Sequence, residues 1–247
     1  MLAEDCMAAA AVQIRLPLEN GPIMTLLERP DDSESVGDDG YRRIRNDIIF
    51  GQLRPSQKLR LESLREDYGV SVSTLREILS RLLSEGFVLA EGRRGFEVAP
   101  ISVANLRELA ALRLLLECHA MEESFGNGDM EWEGRVVSAH HKLAATERQM
   151  GSKKGNPQAW KQYDGEFHHA LISNCGSRSL LDAHAAVFDR YFRYQMLALN
   201  FRGEEPARQH QQLLDCALKR DAAKAKQILA AHIGGCVEHA LATGALK

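Results

Sequence analysis

The sequence predicts a mainly α-helical protein in two parts, an N-terminal winged helix-turn-helix and a C-terminal all-α helical bundle. Three observations predict it. Between residues 41 and 86 apolar residues recur at helical spacing in three short runs, and two apolar segments around a Gly/Arg turn follow them. After Pro100 the apolar pattern is helical throughout, and no strand signal competes. A chain of 247 residues with 45% hydrophobic content suffices for a full core and for one or two domains.

Residues 1–40 read as a disordered or loosely attached tail, because 30–40 is polar, rich in turn residues and poorly periodic. Ile44, Ile48 and Ile49 then mark a first helix that stops at Gly51, with Pro55 in the following turn. Leu61, Leu64 and Tyr68 mark a second, ended by Gly69. Leu75, Leu79, Leu82 and Leu83 mark a third, ended at Gly86. Phe87-Val88-Leu89-Ala90 and Phe96-Glu97-Val98 form a small hairpin and close a domain over 41–100. The remainder, 101–247, divides into helices near 103–124, 132–150, 157–173, 178–200, 206–219 and 222–242. Glycine, proline and cysteine-glycine breaks separate them. Such a set packs around one core.

The formal charge of −3 hides an uneven distribution. Residues 1–40 hold 9 acidic and 2 basic side chains, 41–100 hold 8 and 11, and 101–247 hold 17 and 18. A basic segment therefore lies between an acidic tail and a neutral body, which argues against a uniformly basic nucleic-acid coat and against an acidic disordered chain. No apolar run approaches the roughly 18 residues of a membrane helix, so no membrane partner is expected. Glu4 and Asp5 ahead of a short alanine run make a poor signal peptide. Cys6, Cys118, Cys175, Cys216 and Cys236 are odd in number and widely spaced, which fits free thiols in the cytoplasm.

A winged helix-turn-helix places its third helix in the DNA major groove and its hairpin against the adjacent backbone or minor groove. Ser71, Ser73 and Thr74 can cap that helix and donate to phosphate. Arg76 follows on its polar side. Arg93 and Arg94 lie at the wing tip between Gly92 and Gly95, where glycine permits close approach to DNA. Arg42, Arg43 and Arg45 give the first helix a basic edge for phosphate.

In the bundle, all nine histidines fall at or after His119. Asp164 and His168, spaced i and i+4, share a helix face. His210 lies 11 residues before Asp221 and His232 lies 11 after it. If the chain turns near Asp221, equal arms bring both imidazoles to one level, each about 16 Å from the turn at roughly 1.5 Å per residue. If that level also matches the Asp164/His168 face, three imidazoles and one carboxylate converge, a set that suits Zn²⁺, Ni²⁺, Mn²⁺ or Fe²⁺, Zn²⁺ first among them. The same spacing also suits a surface Asp–His hydrogen bond and ordinary core histidines. His140, His141, His169, His184 and His239 read as exposed or satisfied by hydrogen bonds. A metal-activated hydrolase is disfavoured, because no second motif such as HExxH accompanies the cluster.

Residues 41–98 resemble the DNA-binding domain of the GntR family, through Ile44-Arg45-Asn46-Asp47-Ile48-Ile49, Gly51-Gln52-Leu53-Arg54-Pro55, Tyr68-Gly69-Val70-Ser71 and Thr74-Leu75-Arg76-Glu77-Ile78-Leu79. The resemblance implies that Arg76, Ser73 and Thr74 contact DNA and that the wing, through Gly95, approaches the minor groove. Many members carry Arg where this chain has Val72, which removes one candidate base reader. Residues 103–242 resemble the FCD effector domain of the FadR-type branch. There Asp164-Gly165-Glu166-Phe167-His168 matches a signature, and His210 and His232 match the later histidines. The resemblance implies that Asp164, His168, His210 and His232 hold a metal ion and that an effector carboxylate or water completes its shell. It also singles out Arg113 and Glu117 at the effector pocket, and Arg190, Arg193 and Asn200 on the fourth helix of the bundle are further pocket candidates. A buried Arg113 needs an anion, and either an effector carboxylate or Glu117 one turn on would serve. The wing is also similar to CsiR-type repressors. The expected protein is therefore a cytoplasmic, homodimeric transcription regulator that binds a double-stranded DNA operator and responds to a small carboxylate. The alternative is a regulator for which the metal itself is the signal.

Overall fold

Ser35 opens the first helix by accepting a hydrogen bond from the Asp38 N–H at 3.2 Å, and α1 runs Val36–Ile49. The computed structural model describes residues 35–92, 95–150, 155–197, 204–242, 244 and 246. Residues 36–40, assigned to the tail by their polarity, are instead the first turn of α1. Asp38 and Asp39 there face the positive end of the helix dipole. Residues 1–34 lie outside the described residues.

The short strand β1 (Lys58–Leu59) precedes α2 (Leu61–Tyr68) and α3 (Val72–Ser84). Strands β2 (Val88–Glu91) and β3 (Gly95–Val98) form the wing. The sheet order is β1-β3-β2, antiparallel, with Val88 opposite Val98 and Leu59 opposite Phe96. β1 has no counterpart in the sequence reading, because two residues carry no period.

The bundle comprises α4 (Val103–Asn127), α5 (Met130–Met150), α6 (Pro157–Ile172), α7 (Arg178–Leu197), α8 (Glu204–Leu218) and α9 (Ala222–Ala242). Ser102 caps α4 and Asn156 caps α6, with Pro157 at the first helical position. These six match the expected segments to within a few residues. The expected end of the fourth, 198–200, lies outside the described residues.

Two apolar cores result. One joins α4 through α9 around Phe125, Trp132, Leu143, Phe167, Leu213 and Leu229. The other joins α1, α2, α3 and the wing around Ile44, Ile48, Leu75, Leu79, Leu82 and Phe87. Helix α7 serves both. Its Val187, Tyr191 and Tyr194 pack into the bundle core, while Phe188, Phe192 and Met196 complete the core of the winged helix. Phe192 meets Phe50 edge-on at 6.2 Å between ring centroids.

This shared helix corrects the role expected for Arg45. The side chain does not face DNA: it is 3% exposed, pairs with Asp189 of α7, and lies 3.3 Å from the Glu85 carboxylate. Isoleucines at 44, 48 and 49 face one side of α1, and α7 covers Arg45 beside them. Burial, offset in part by Arg45, leaves the Asp189 carboxyl above its ordinary value. Losing that guanidinium would raise the Asp189 carboxyl further.

Removing one member of a buried ion pair strands the other. Arg45→Ala is expected to destabilise the protein by about 3–5 kcal/mol in urea unfolding, and the double variant Arg45→Met/Asp189→Leu to recover most of that loss.

Candidate metal centre

Asp164 and His168 lie one turn apart on α6, and α8 and α9 bring His210 and His232 beside them. The α8–α9 turn passes through Arg220 in a left-handed conformation (φ 59°) and Asp221, whose carboxylate accepts from the Lys224 N–H at 3.0 Å. Arg220 is held by the Gly128 carbonyl at 3.0 Å, by Glu133 at 2.6 Å and by the Trp132 ring. The arms from this turn are equal, and the His210 and His232 rings lie 4.7 Å apart between centroids. His168 lies 5.3 Å from His232 and 5.7 Å from His210. One ligand atom from each of the four residues falls within 4.8 Å of the others, and all four side chains are buried.

The second ring nitrogen of each histidine explains the orientation. His168 Nδ1 bonds Glu117 Oε1, His210 Nδ1 bonds Glu147 Oε1 at 2.8 Å, and His232 Nδ1 bonds the Gln209 side-chain oxygen at 3.0 Å. An oxygen acceptor at Nδ1 requires the proton there and turns the Nε2 lone pair inward, the arrangement of a metal-binding imidazole. His168 Nε2, His210 Nε2 and Asp164 Oδ2 are buried without a hydrogen-bond partner. Buried acceptors are rarely left so, and a cation would satisfy all three together. Three nitrogens and one oxygen fit a transition dication and not an oxygen-seeking ion such as Ca²⁺.

The charge states agree with that fit. Burial opposes ionisation of Asp164, but Lys161, with Nζ 3.6 Å away, and the two nearer histidines hold its carboxyl well below the ordinary value. Burial pushes His168 and His232 down, so both stay neutral and able to ligate. Burial also disfavours the charged form of His210, yet the Asp164 carboxylate, with Oδ1 3.4 Å from Nε2, and the Glu147 carboxylate raise it above the ordinary value. An ion binding there would expel that proton.

Arg113 is fully buried on α4. Its Nε donates to Glu117 Oε2 at 2.9 Å, and its guanidinium carbon lies 4.5 Å from the Phe188 ring centroid. Nη1 and Nη2 have no hydrogen-bond partner. Glu117, one turn on, is the anion that Arg113 meets in this structure. Its Oε1 is taken by His168, and its Oε2 by Arg113 and by His184 Nε2 at 3.3 Å. It orients His168 and the arginine. Arg193 is not brought to the cluster: its Nη2 donates to the Ala99 carbonyl at 2.6 Å, at the junction of the two parts. Asn200 lies outside the described residues. Sequence reasoning missed Glu147 and Gln209 and left His184 among the ordinary histidines, since each reaches its partner only across helices.

On the winged helix, Ser71 caps α3 by accepting from the Thr74 N–H at 3.1 Å, and its hydroxyl lies 2.8 Å from those of Ser73 and Thr74. Arg76 is exposed on the next turn, with no ion pair among the described residues. Arg42 and Arg43 lie 2.8 and 3.6 Å from the Asp39 carboxylate. Gly95 begins β3, while Arg93 and Arg94 lie outside the described residues.

Comparison with known proteins agrees with this architecture. Residues 38–98 match the family described as bacterial regulatory proteins, gntR family, and residues 108–235 match the FCD domain. The chain is 38% identical to the HTH-type transcriptional regulator BphR of Paraburkholderia xenovorans, over 84% of this chain and 86% of the relative. It is 33% identical to the HTH-type transcriptional repressor GlaR of Escherichia coli, over 79% and 91%. Among solved structures, E. coli McbR/YncC shares the fold, with a TM-score of 0.72 at 19% identity over 85% of this chain and 98% of that one. Both relatives are named as transcription regulators.

Two outcomes follow from the site. Glu147→Ala frees the His210 ring and is expected to weaken Zn²⁺ affinity by about 10–100-fold in competition with a chromophoric chelator. His168 and His232 titrate lower in the folded chain than in the unfolded one, so the unfolded chain takes up protons first. Metal-free protein should therefore lose stability as pH falls below 6.5, the ordinary histidine value, in urea titrations across pH.

Proposed function

The chain is a transcriptional regulator of the GntR family with an FCD domain, and we propose that a small organic acid, bound beside a divalent transition-metal ion in the bundle, controls its affinity for an operator. The observation that carries this reading is the pairing of two unmet needs in one buried region. Three imidazoles and Asp164 are oriented for a cation, and Arg113 has two nitrogens without partners. Arg113 is near enough for its charge to act on Asp164, His168 and His232. A metal ion meets the first need, and a carboxylate bound to that ion meets the second.

In this reading Asp164, His168, His210 and His232 hold the ion, with Zn²⁺ the first choice. When bound, the ion supplies a fixed positive point for one carboxylate oxygen. Arg113 donates two N–H groups to the acid, while Glu117 keeps the guanidinium in place. The response then passes along α7. Phe188 lies against the Arg113 guanidinium, and the next residue, Asp189, holds Arg45 of α1. An acid that binds one placement of α7 better shifts the winged helix by that difference in affinity.

At the DNA, Ser73, Thr74 and Arg76 approach the major groove, with Arg93, Arg94 and Gly95 at the wing. Homodimerisation would set two such heads on a pseudo-palindromic site. Leu112 and Leu115, 42% and 67% exposed on α4, supply apolar surface for it. Repression is the favoured direction, since the E. coli relative GlaR is named a repressor. Cys118, Cys175, Cys216 and Cys236 form no disulfide among the described residues, in keeping with a cytoplasmic regulator. No described helix is long and apolar enough to cross a membrane.

The test is a thermal-shift panel of small mono- and dicarboxylates on metal-loaded and EDTA-stripped protein. An acid is expected to raise Tm in the loaded form only. If the metal stabilises the protein and no acid adds to it, the carboxylate reading fails, and metal-dependent operator binding would then make the ion the signal. For the DNA face, Arg76→Ala is expected to weaken operator binding and, if Arg76 meets phosphate, to lower the salt slope by about 1 in fluorescence anisotropy titrations.

A further inference from the structure

The winged helix and the bundle enclose a cleft of about 260 Å³ between them, and none of the residues of the metal centre lines it. Gly86 lines it from the winged helix, and Ser102, Asn105, Arg190, Arg193 and Tyr194 from the bundle side. No acidic residue is among its lining.

Two arginines of α7 face this cleft without an acid. Arg193 is 4% exposed. One nitrogen bonds the Ala99 carbonyl, and its Nε has no hydrogen-bond partner. The other two buried arginines are each matched by a carboxylate, Arg45 by Asp189 and Arg113 by Glu117. Arg193 has no such match among the described residues. Arg190, half-buried three residues earlier, lies across Gly86, where a Cβ would come within 3.2 Å of its Nε. It too has no ion pair among the described residues. The wall beside them is fixed, because the Tyr194 hydroxyl donates to Asn105 Oδ1 at 2.9 Å and accepts from the Ser102 N–H at 3.2 Å. A buried guanidinium with no negative partner forgoes its strongest hydrogen bonds, and a bound anion supplies them.

We propose that this cleft binds a small oxyanion, through a carboxylate or a phosphate group, between Arg190 and Arg193. Its oxygens take the free Arg193 Nε–H and the Arg190 guanidinium. The occupant touches the winged helix and the bundle together, so it favours the placement in which both walls are present. It is an input to DNA binding separate from the metal centre, and it holds whether or not an acid binds there.

Titration calorimetry of EDTA-treated full-length protein with inorganic phosphate, and in parallel with acetate, tests this. One or both anions should bind saturably, and which one binds identifies the group recognised. Arg190→Gln should weaken that binding by about tenfold, the loss of one charge-assisted hydrogen bond, while far-UV circular dichroism stays unchanged. The bound anion should also protect Arg190 from phenylglyoxal, read by peptide mass spectrometry. Three results would each overturn the proposal: neither anion binds, binding is unchanged in Arg190→Gln, or labelling of Arg190 is indifferent to the anion.

Discussion

One buried carboxylate, Glu117, holds three helices and the functional site in a single arrangement. It leaves α4 fully buried and receives Arg113 from its own helix, His168 from α6 and His184 from α7. Burial opposes its charge, yet Arg113 and His168 outweigh the penalty and hold it well below the ordinary value. A permanent anion in an apolar interior is tolerable only when its neighbours are donors in fixed places. That demand sets the tautomer of His168 and the direction of Arg113. The placement of His168 in the cluster is thus a consequence of satisfying one charge, while Glu147 and Gln209 orient the other two rings.

Helix α7 carries that constraint outward. His184 is bound to Glu117, Phe188 lies against Arg113, Asp189 holds Arg45, and Phe192 packs on Phe50. His184, Phe188 and Phe192 follow one another at intervals of four and share a stripe of the helix, with Asp189 beside it. A stiff helix with one end of its stripe on the cluster and the other in the winged-helix core has few ways to move without both feeling it.

The helices of the bundle and the pairing of His210 with His232 were legible in the sequence, because both follow from a fixed rise per residue. Counting from Asp221 suffices to level two rings on adjacent antiparallel helices. What lay beyond that arithmetic depends on contacts between distant elements. Arg45 reads as a surface cation until α7 covers it, 144 residues away in sequence. Glu147 and Gln209 carry no local mark of their partnership with His210 and His232. The start of α1 was hidden for a different reason. Its acidic first turn has the composition of a disordered segment, and the cap at Ser35 outweighs that composition.

The core of the winged helix is finished by three side chains, Phe188, Phe192 and Met196, that lie some hundred residues further along the chain. The DNA-reading head is therefore not a freely exchangeable module. Cut at Pro100, it would present an open apolar face in place of those rings. Joined to a foreign bundle, it would require a helix bearing the same stripe. Recombination between regulators of this architecture is thus constrained to partners whose fourth bundle helix is compatible, so the head and that helix are bound to diverge together.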